Sequence, residues 1–415
     1  MIRFVAKYSS YAVLGSVALA IVLGIVTPGI FEPIKFLGDL FINLLKLFAL
    51  PLICSALVAA LGNVSGNLSA FKSLSSKAVG YMLLSEIIAV TIALCLFNLF
   101  SPGTGGNADL ILQGQPYEPT NEGAFGFTQF LVSIIPNNVF YSLANFQLLP
   151  VVVFSIMFGL GCAMKGEIAR PIVNLASSVR DVSAKCLHGV MMIAPIGIFV
   201  LVGGGVAQSY LSGDLEKNIS ALLAFVAVFL FGLFLHGLWQ LIAVAIVSKQ
   251  KITTILHRSL PVFSTAFGTS SSVATLPVAM QTADSLKSKP IVTRFMLPIC
   301  AAINIGGMMM YEVAAALFFS QMLGLDLSFS QQILVAVACI LGGMAEGGIP
   351  ESSMVSLVVV FRIVNVPLSA ITILLPLDRI LDRLRTMVNI FGNMCGVILV
   401  SHWAEEVPSE SQQSS

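Results

Sequence analysis

The chain reads as an all-α membrane protein of eight transmembrane helices plus two re-entrant helical hairpins. Three observations predict this. Hydrophobic residues make up 57% of the 415 and charged residues 10%, with a mean hydropathy of +0.95, the composition of an integral membrane protein. The apolar stretches mostly run to 18 residues or more, the length of helical spans rather than barrel strands. Two further stretches, after Arg258 and over 328–367, are pairs of short apolar arms joined by Gly- and Ser-rich tips. A net charge of +1 with no basic patch leaves no footprint for a nucleic-acid partner.

The elements follow in order. Arg3 and Lys7 precede an apolar run as in a signal peptide. That run ends in Thr27-Pro28-Gly29 without a small-x-small cleavage site, so it is a retained first span over 11–26. The second span, 36–61, contains Pro51, which can kink a membrane helix without destroying it. A polar loop, 63–77, leads to the third span, 81–100, closed by Ser101-Pro102-Gly103. Residues 103–127 lack Lys and Arg and carry Asp109, Glu118 and Glu122. The fourth span, 130–164, is broken by Pro136, Asn137, Asn138 and Pro150. The fifth and sixth occupy 187–206 and 221–247. Basic residues place the amino terminus, the Lys72/Lys77 loop, the 165–185 segment and Lys249/Lys251/Arg258 in the cytoplasm, and 103–127 outside. The seven cysteines lie singly, mostly in apolar segments, and read as small hydrophobes rather than as a zinc or disulfide framework. No metal-binding histidine pair or nucleophile motif points to an enzyme.

Beyond Arg258 the pattern changes. Pro261, Ser264, Thr265, Gly268, Thr269, Ser270, Ser271 and Ser272 interrupt two arms too short to cross, with basic residues at both ends. A hairpin that enters and leaves on the cytoplasmic side fits, and its tip must line a protein cavity because lipid cannot satisfy bare backbone. The seventh span, 291–323, holds the soft stretch Asn304-Ile305-Gly306-Gly307. The hairpin pattern then repeats over 328–367, with Glu346 and Glu351 flanking its tip. Hairpin plus span occurs twice from opposite faces, an inverted repeat that points to a transporter's midplane site.

The eighth span carries DRILDRLRTMVNIFGN, Asp378 to Asn393. At roughly 100° per residue, Asp378, Asp382, Arg385 and Asn389 fall within a sector about 60° wide, and Asn393 extends it by a turn. A carboxylate, a guanidinium and an amide on one face suit an ionic amino acid, and intramembrane ionisable residues default to a functional reading. An internally neutralised structural helix, with Asp382 paired to Arg385, is the alternative.

With Thr265–Pro277 (TAFGTSSSVATLP), Asp378–Asn393 and the Leu149-Pro150 region together, the sequence resembles the dicarboxylate/amino acid:cation symporter family over nearly its whole length. That family is itself an example of inverted-repeat architecture. The resemblance implies a homotrimer of elevator-type transporters, each with a scaffold and a mobile transport domain. The scaffold comprises 1–80 (spans 1–2) and 128–210 (spans 4–5). The transport domain comprises 81–102 (span 3), 211–252 (span 6), 253–290 (hairpin 1), 291–325 (span 7), 326–367 (hairpin 2) and 368–403 (span 8). Residues 103–127 form the extracellular loop and 404–415 a polar cytoplasmic tail. By matched position, Asp382 holds the substrate amino group and Arg385 its side-chain carboxylate, through the guanidinium fork. Thr386 and Asn389 lie at the substrate side chain and α-carboxylate, and Ser271 and Ser272 belong to the serine-rich tip. Arg383 resembles an extra arginine carried by eukaryotic members.

The coupling-ion positions depart from the family pattern. Where Asn-Met-Asp-Gly-Thr is usual, this chain has Asn304-Ile305-Gly306-Gly307-Met308. Asn393 replaces an aspartate, Ala302 a threonine, Met82 a tyrosine, and Ser85-Glu86 a Thr-Ser pair. Sodium out of water wants oxygen ligands, preferably charged, and two charges are gone. No firm metal site is expected, and Asn304, Asn389 and Asn393 are the candidates for residual sodium contacts. Glu86 and Glu312, the latter at a family proton-carrying position, are candidate proton carriers, since desolvated carboxyls can load and release protons. No cofactor is expected, and the coupling ion is a proton, sodium or both. The reading is a symporter for aspartate, glutamate or a related dicarboxylate in a plasma membrane of bacterial inner-membrane type, with both termini cytoplasmic. Its alternatives are a sodium symporter with rewired ligands and a degenerate sensor or anion channel.

Overall fold

The computed structural model describes residues 15–62, 72–112, 135–145, 148–343 and 353–403, and among these every regular element is helical. Helix α1 (Gly15–Val26) ends before Pro28, and the chain bends by 116° into the next helical run. Helix α2 (Lys35–Gly62) carries Pro51 inside it. The Ser55 hydroxyl donates to the Pro51 carbonyl one turn earlier, at 2.5 Å. Helix α3 (Lys72–Phe100) starts well before the predicted 81, because the polar stretch ahead of the apolar run is itself helical.

A short α4 (Asp109–Leu112) is followed by the broken fourth span. Helix α5 (Val139–Ala144) is capped by Asn138, whose side chain accepts the N–H groups of Phe140 and Tyr141, and α6 (Leu148–Lys165) follows. The expected fifth span, 187–206, is displaced. Residues read as a cytoplasmic connection form α7 (Arg170–Met192), and the apolar helix is α8 (Ala194–Leu211). The reason is amphipathicity. Val173 and Ala176 turn one face of α7 into the protein, and the chain re-starts at Pro195, which has no N–H to continue the preceding helix. Helices α6, α7 and α8 pack on α2.

The rest of the chain gathers around two long helices. In order come α9 (Leu215–Ser248), α10 (Ile252–Thr269), α11 (Ser272–Ser285), α12 (Pro290–Ile303), α13 (Gly306–Met322), α14 (Phe329–Gly343), α15 (Ser353–Ile363) and α16 (Ala370–Trp403). The pairs α10/α11 and α14/α15 lie where the two hairpins are expected; the arms of the first have 18 and 14 residues, each short of the roughly 20 needed to span a bilayer, and the described parts of the second's arms have 15 and 11. The tip of the second, with Glu346 and Glu351, lies outside the described residues. The first turns through Ser270, at φ 50°, into the Ser271 cap of α11.

Helix α13 is buried along almost its whole length against α3, α14 and α15, while α16 contacts α9, both arms of the first hairpin, and α12. Among the described residues, the helical segments at 76–105, 215–248, 290–322 and 380–403 are long and apolar enough to cross a membrane. Leu84 and Ile87 of α3 and Leu223, Phe234 and Ile246 of α9 face outward, as lipid-facing side chains would.

Candidate substrate and coupling site

The polar stripe of α16 closes on itself. Arg385 is 1% exposed, and its Nη2 donates to Asp378 at 2.5 Å and to Asp382 at 3.2 Å. These carboxylates sit seven and three residues earlier, two turns and one turn away on one face. The sequence placed Asp378 in the stripe but gave it no role; the two-turn spacing was the available clue. Thr386 and Asn389 are buried on the same stretch of helix.

Tyr311 of α13 supplies the opposite wall. The Arg385 Cζ lies 4.1 Å from its ring centroid, within cation–π range. Edge contacts with Phe229 (centroids 5.4 Å apart) and Phe225 (6.1 Å) fix that ring from α9. Sequence reasoning missed Tyr311, since an aromatic in an apolar run reads as core. The adjacent Glu312 is one of the expected proton carriers. It is fully buried, and the Ser356 hydroxyl of α15 donates to it.

Below Arg385, α16 holds the break between α12 and α13. Asn389 Oδ1 accepts the Gly307 N–H at 2.8 Å, and the Asn304 amide donates to Asn393 Oδ1 at 2.6 Å. Two asparagines one turn apart therefore tie down both sides of the break, and one of them satisfies an N–H that the start of α13 leaves open. Asn304 Oδ1 and Asn393 Nδ2 are buried without a hydrogen-bond partner among the described residues. The first is a carbonyl acceptor of the kind a cation takes.

The first hairpin meets α16 through Arg383, which donates to the Phe267 carbonyl at 2.9 Å and stands over the Phe267 ring. A cation suits that place, in the last turn of α10. Ser271 caps α11 by accepting the Ala274 N–H at 3.2 Å, and Ser272 is buried at the first helical position. Glu86 lies apart on α3. It is 1% exposed and makes no hydrogen bond or ion pair among the described residues, and its neighbour Ser85 faces Gln240 of α9 at 3.5 Å. The structure thus brings Asp382, Arg385, Asn389, Asn393 and Asn304 into one column, with Glu312 beside Tyr311 and Glu86 on another helix. Among the described residues no three His, Cys, Asp or Glu side chains gather as metal ligands.

The stripe of α16 is thus a charge cluster buried among apolar helices, beside the break between α12 and α13. The chain is 30% identical to the proton/sodium-glutamate symport protein of Geobacillus stearothermophilus over 405 residues, covering 94% of each. It is 28% identical to the proton/glutamate-aspartate symporter of Escherichia coli K12 over 373 residues, 88% of this chain and 84% of that one. It is also 29% identical to the C4-dicarboxylate transport protein of Rhizobium johnstonii, covering 95% and 88%. Residues 10–403 match the model of the sodium:dicarboxylate symporter family, and the chain belongs to that family.

Proposed function

We propose that the protein is a secondary active symporter that imports acidic amino acids, aspartate or glutamate, or related dicarboxylates, coupled mainly to protons. The observation that carries this is Arg385, buried on α16 between Asp378 and Asp382. An amino-acid substrate presents an ammonium to Asp382 and a carboxylate to the guanidinium fork. Arg385 is already paired with Asp378 and Asp382, so an acidic amino acid would exchange those contacts for its own carboxylate and ammonium, and a related dicarboxylate would use the guanidinium alone. The names of the relatives, which include glutamate, aspartate and C4-dicarboxylates, fall within this range. Thr386, Asn389, Ser271 and Ser272 complete the proposed substrate site.

Glu86 and Glu312 are the proposed proton carriers. A carboxyl buried among apolar helices with no cation beside it crosses a membrane most readily as the neutral acid, and Glu86 has that setting. The second reading is sodium coupling, favoured by the open carbonyl of Asn304 between Asn389 and Asn393. In either case alternating access is proposed to follow the elevator scheme in a homotrimer of the bacterial inner membrane, with both termini cytoplasmic. The packing of α6–α8 on α2, and of the hairpins on α13 and α16, supports a scaffold of spans 1, 2, 4 and 5 carrying a mobile remainder.

The test is uptake of labelled aspartate, glutamate and succinate into proteoliposomes with proton and sodium gradients imposed separately. Proton-driven uptake in sodium-free buffer supports the proposal. Strict sodium dependence replaces it with the second reading. Binding without concentrative uptake under either gradient leaves a sensor.

A further inference from the structure

The most organised buried polar group outside the proposed site lies on α9, where His236, Trp239 and Gln240 face the break before α13. His236 and Gln240 are each 1% exposed. The Trp239 indole N–H, which can only donate, points at His236 Nδ1 from 3.0 Å. Nδ1 is therefore an acceptor, and the neutral ring carries its proton on Nε2. His236 Nε2 lies 3.0 Å from the terminal amide of Gln240, whose other atom, placed as the oxygen, has no partner. With the amide turned so that its oxygen accepts the Nε2–H, the imidazole has a partner on both nitrogens, and the amide NH2 takes the position that has none among the described residues. A second proton on the ring would set Nδ1–H against the indole N–H. The charged and titratable side chains of the packed elements, Tyr81 and Glu86 of α3, Cys300 of α12, Glu312 of α13, Arg385 and Cys395 of α16, make no hydrogen bond or ion pair with the imidazole.

The same ring fills a gap in the backbone. A Cβ on Gly306 would stand 3.0 Å from His236 Nε2 and 3.2 Å from Ala89. A Cβ on Gly392 would run into the Gln240 amide. Two polar side chains one turn apart on α9 are thus seated against two bare backbone positions, one on α13 and one on α16.

We propose that His236 is a positioning residue of fixed charge: held as the neutral Nε2–H tautomer by Trp239, it wedges α9 against the helix break at Gly306 and carries no proton during transport. This goes beyond the proton-coupled reading, because it removes an obvious buried carrier from the coupling path and gives Gly306 a steric reason. The wedge also explains how the break keeps a fixed opening without a side chain of its own at 306.

The experiment is 15N NMR of histidine-labelled protein in lipid bilayers. With four histidines in the chain, His236→Gln assigns the resonance by its loss. The expected result is a neutral Nε2–H ring at every pH between about 5 and 8, and Trp239→Phe should let the ring titrate in that range. An imidazolium in the parent protein, or an Nδ1–H signature, overturns the assignment. In uptake assays Gly306→Ala should lose at least about tenfold and His236→Ala on that background should recover part of the loss. Loss without recovery, in protein that still binds labelled aspartate, overturns the wedge. Neither readout depends on which ion drives uptake, so sodium dependence would sink the coupling proposal and leave this one standing.

Discussion

Arg385 is surrounded by two carboxylates and one aromatic face, so its replacement tests binding and folding separately. Arg385→Lys keeps the charge and loses the fork. Uptake of acidic substrates should fall about 100-fold or more through a raised KM, with little change in thermal unfolding. Arg385→Ala instead leaves Asp378 and Asp382 without their cation, a loss of about 3–5 kcal/mol for a broken buried pair, and the protein should accumulate poorly. Asp378→Asn on that background should restore part of the yield. Tyr311→Leu removes the ring beneath the guanidinium, about 0.5–2 kcal/mol of cation–π attraction, and should raise KM by about 2- to 30-fold, whereas Tyr311→Phe should change it little. The stripe Asp378, Asp382, Arg385 and Asn389 was legible because a 3.6-residue period places those side chains on one face. Tyr311 was not, since its function depends on what α16 sets against it. Arg383 was visible as a charge, but its partner carbonyl lies 116 residues away and no local pattern announces it.

Among the elements, the hairpins were the most readable, because arms too short to cross and tips rich in Ser and Gly have few other uses in a membrane. The α7/α8 boundary was misplaced for a physical reason. Hydropathy averages over a window and cannot see a helix that is polar on one face, while Pro195 sets the actual re-start. The docking of α3 on α16 was invisible in sequence. Tyr81 donates to the Gly392 carbonyl at 2.7 Å, and its ring packs against Gly396, where any Cβ would collide with it. Gly396→Ala should therefore destabilise by about 1–3 kcal/mol, the usual cost of overpacking. Tyr81→Phe, which loses one hydrogen bond and little volume, should cost about 1 kcal/mol. Thermal unfolding in detergent distinguishes the two, and equal or absent effects would mean that this contact does not hold the helices together.

At the scale of the molecule, composition alone pointed to an apolar helical class, and helix pairs lie where the hairpin-plus-span pattern repeats. What the sequence could not supply was the way α16 serves every neighbour at once: its acids and arginine inward to Tyr311, its asparagines to the α12–α13 break, Arg383 to the first hairpin, and Gly392 and Gly396 to α9 and α3. Such a helix tolerates few changes, and the charges it lacks must be handled elsewhere. Glu86, buried on α3 with no cation beside it among the described residues, and Glu312, buried on α13, are the proposed carriers of the moving proton. The most direct measurement is proton entry itself. Proteoliposomes loaded with a pH-sensitive dye, in sodium-free buffer, should acidify when aspartate is added outside. The protein carrying both Glu86→Gln and Glu312→Gln, still able to bind aspartate, should not acidify. Aspartate entry without acidification in the parent protein, or equal acidification in the variant, would contradict the account.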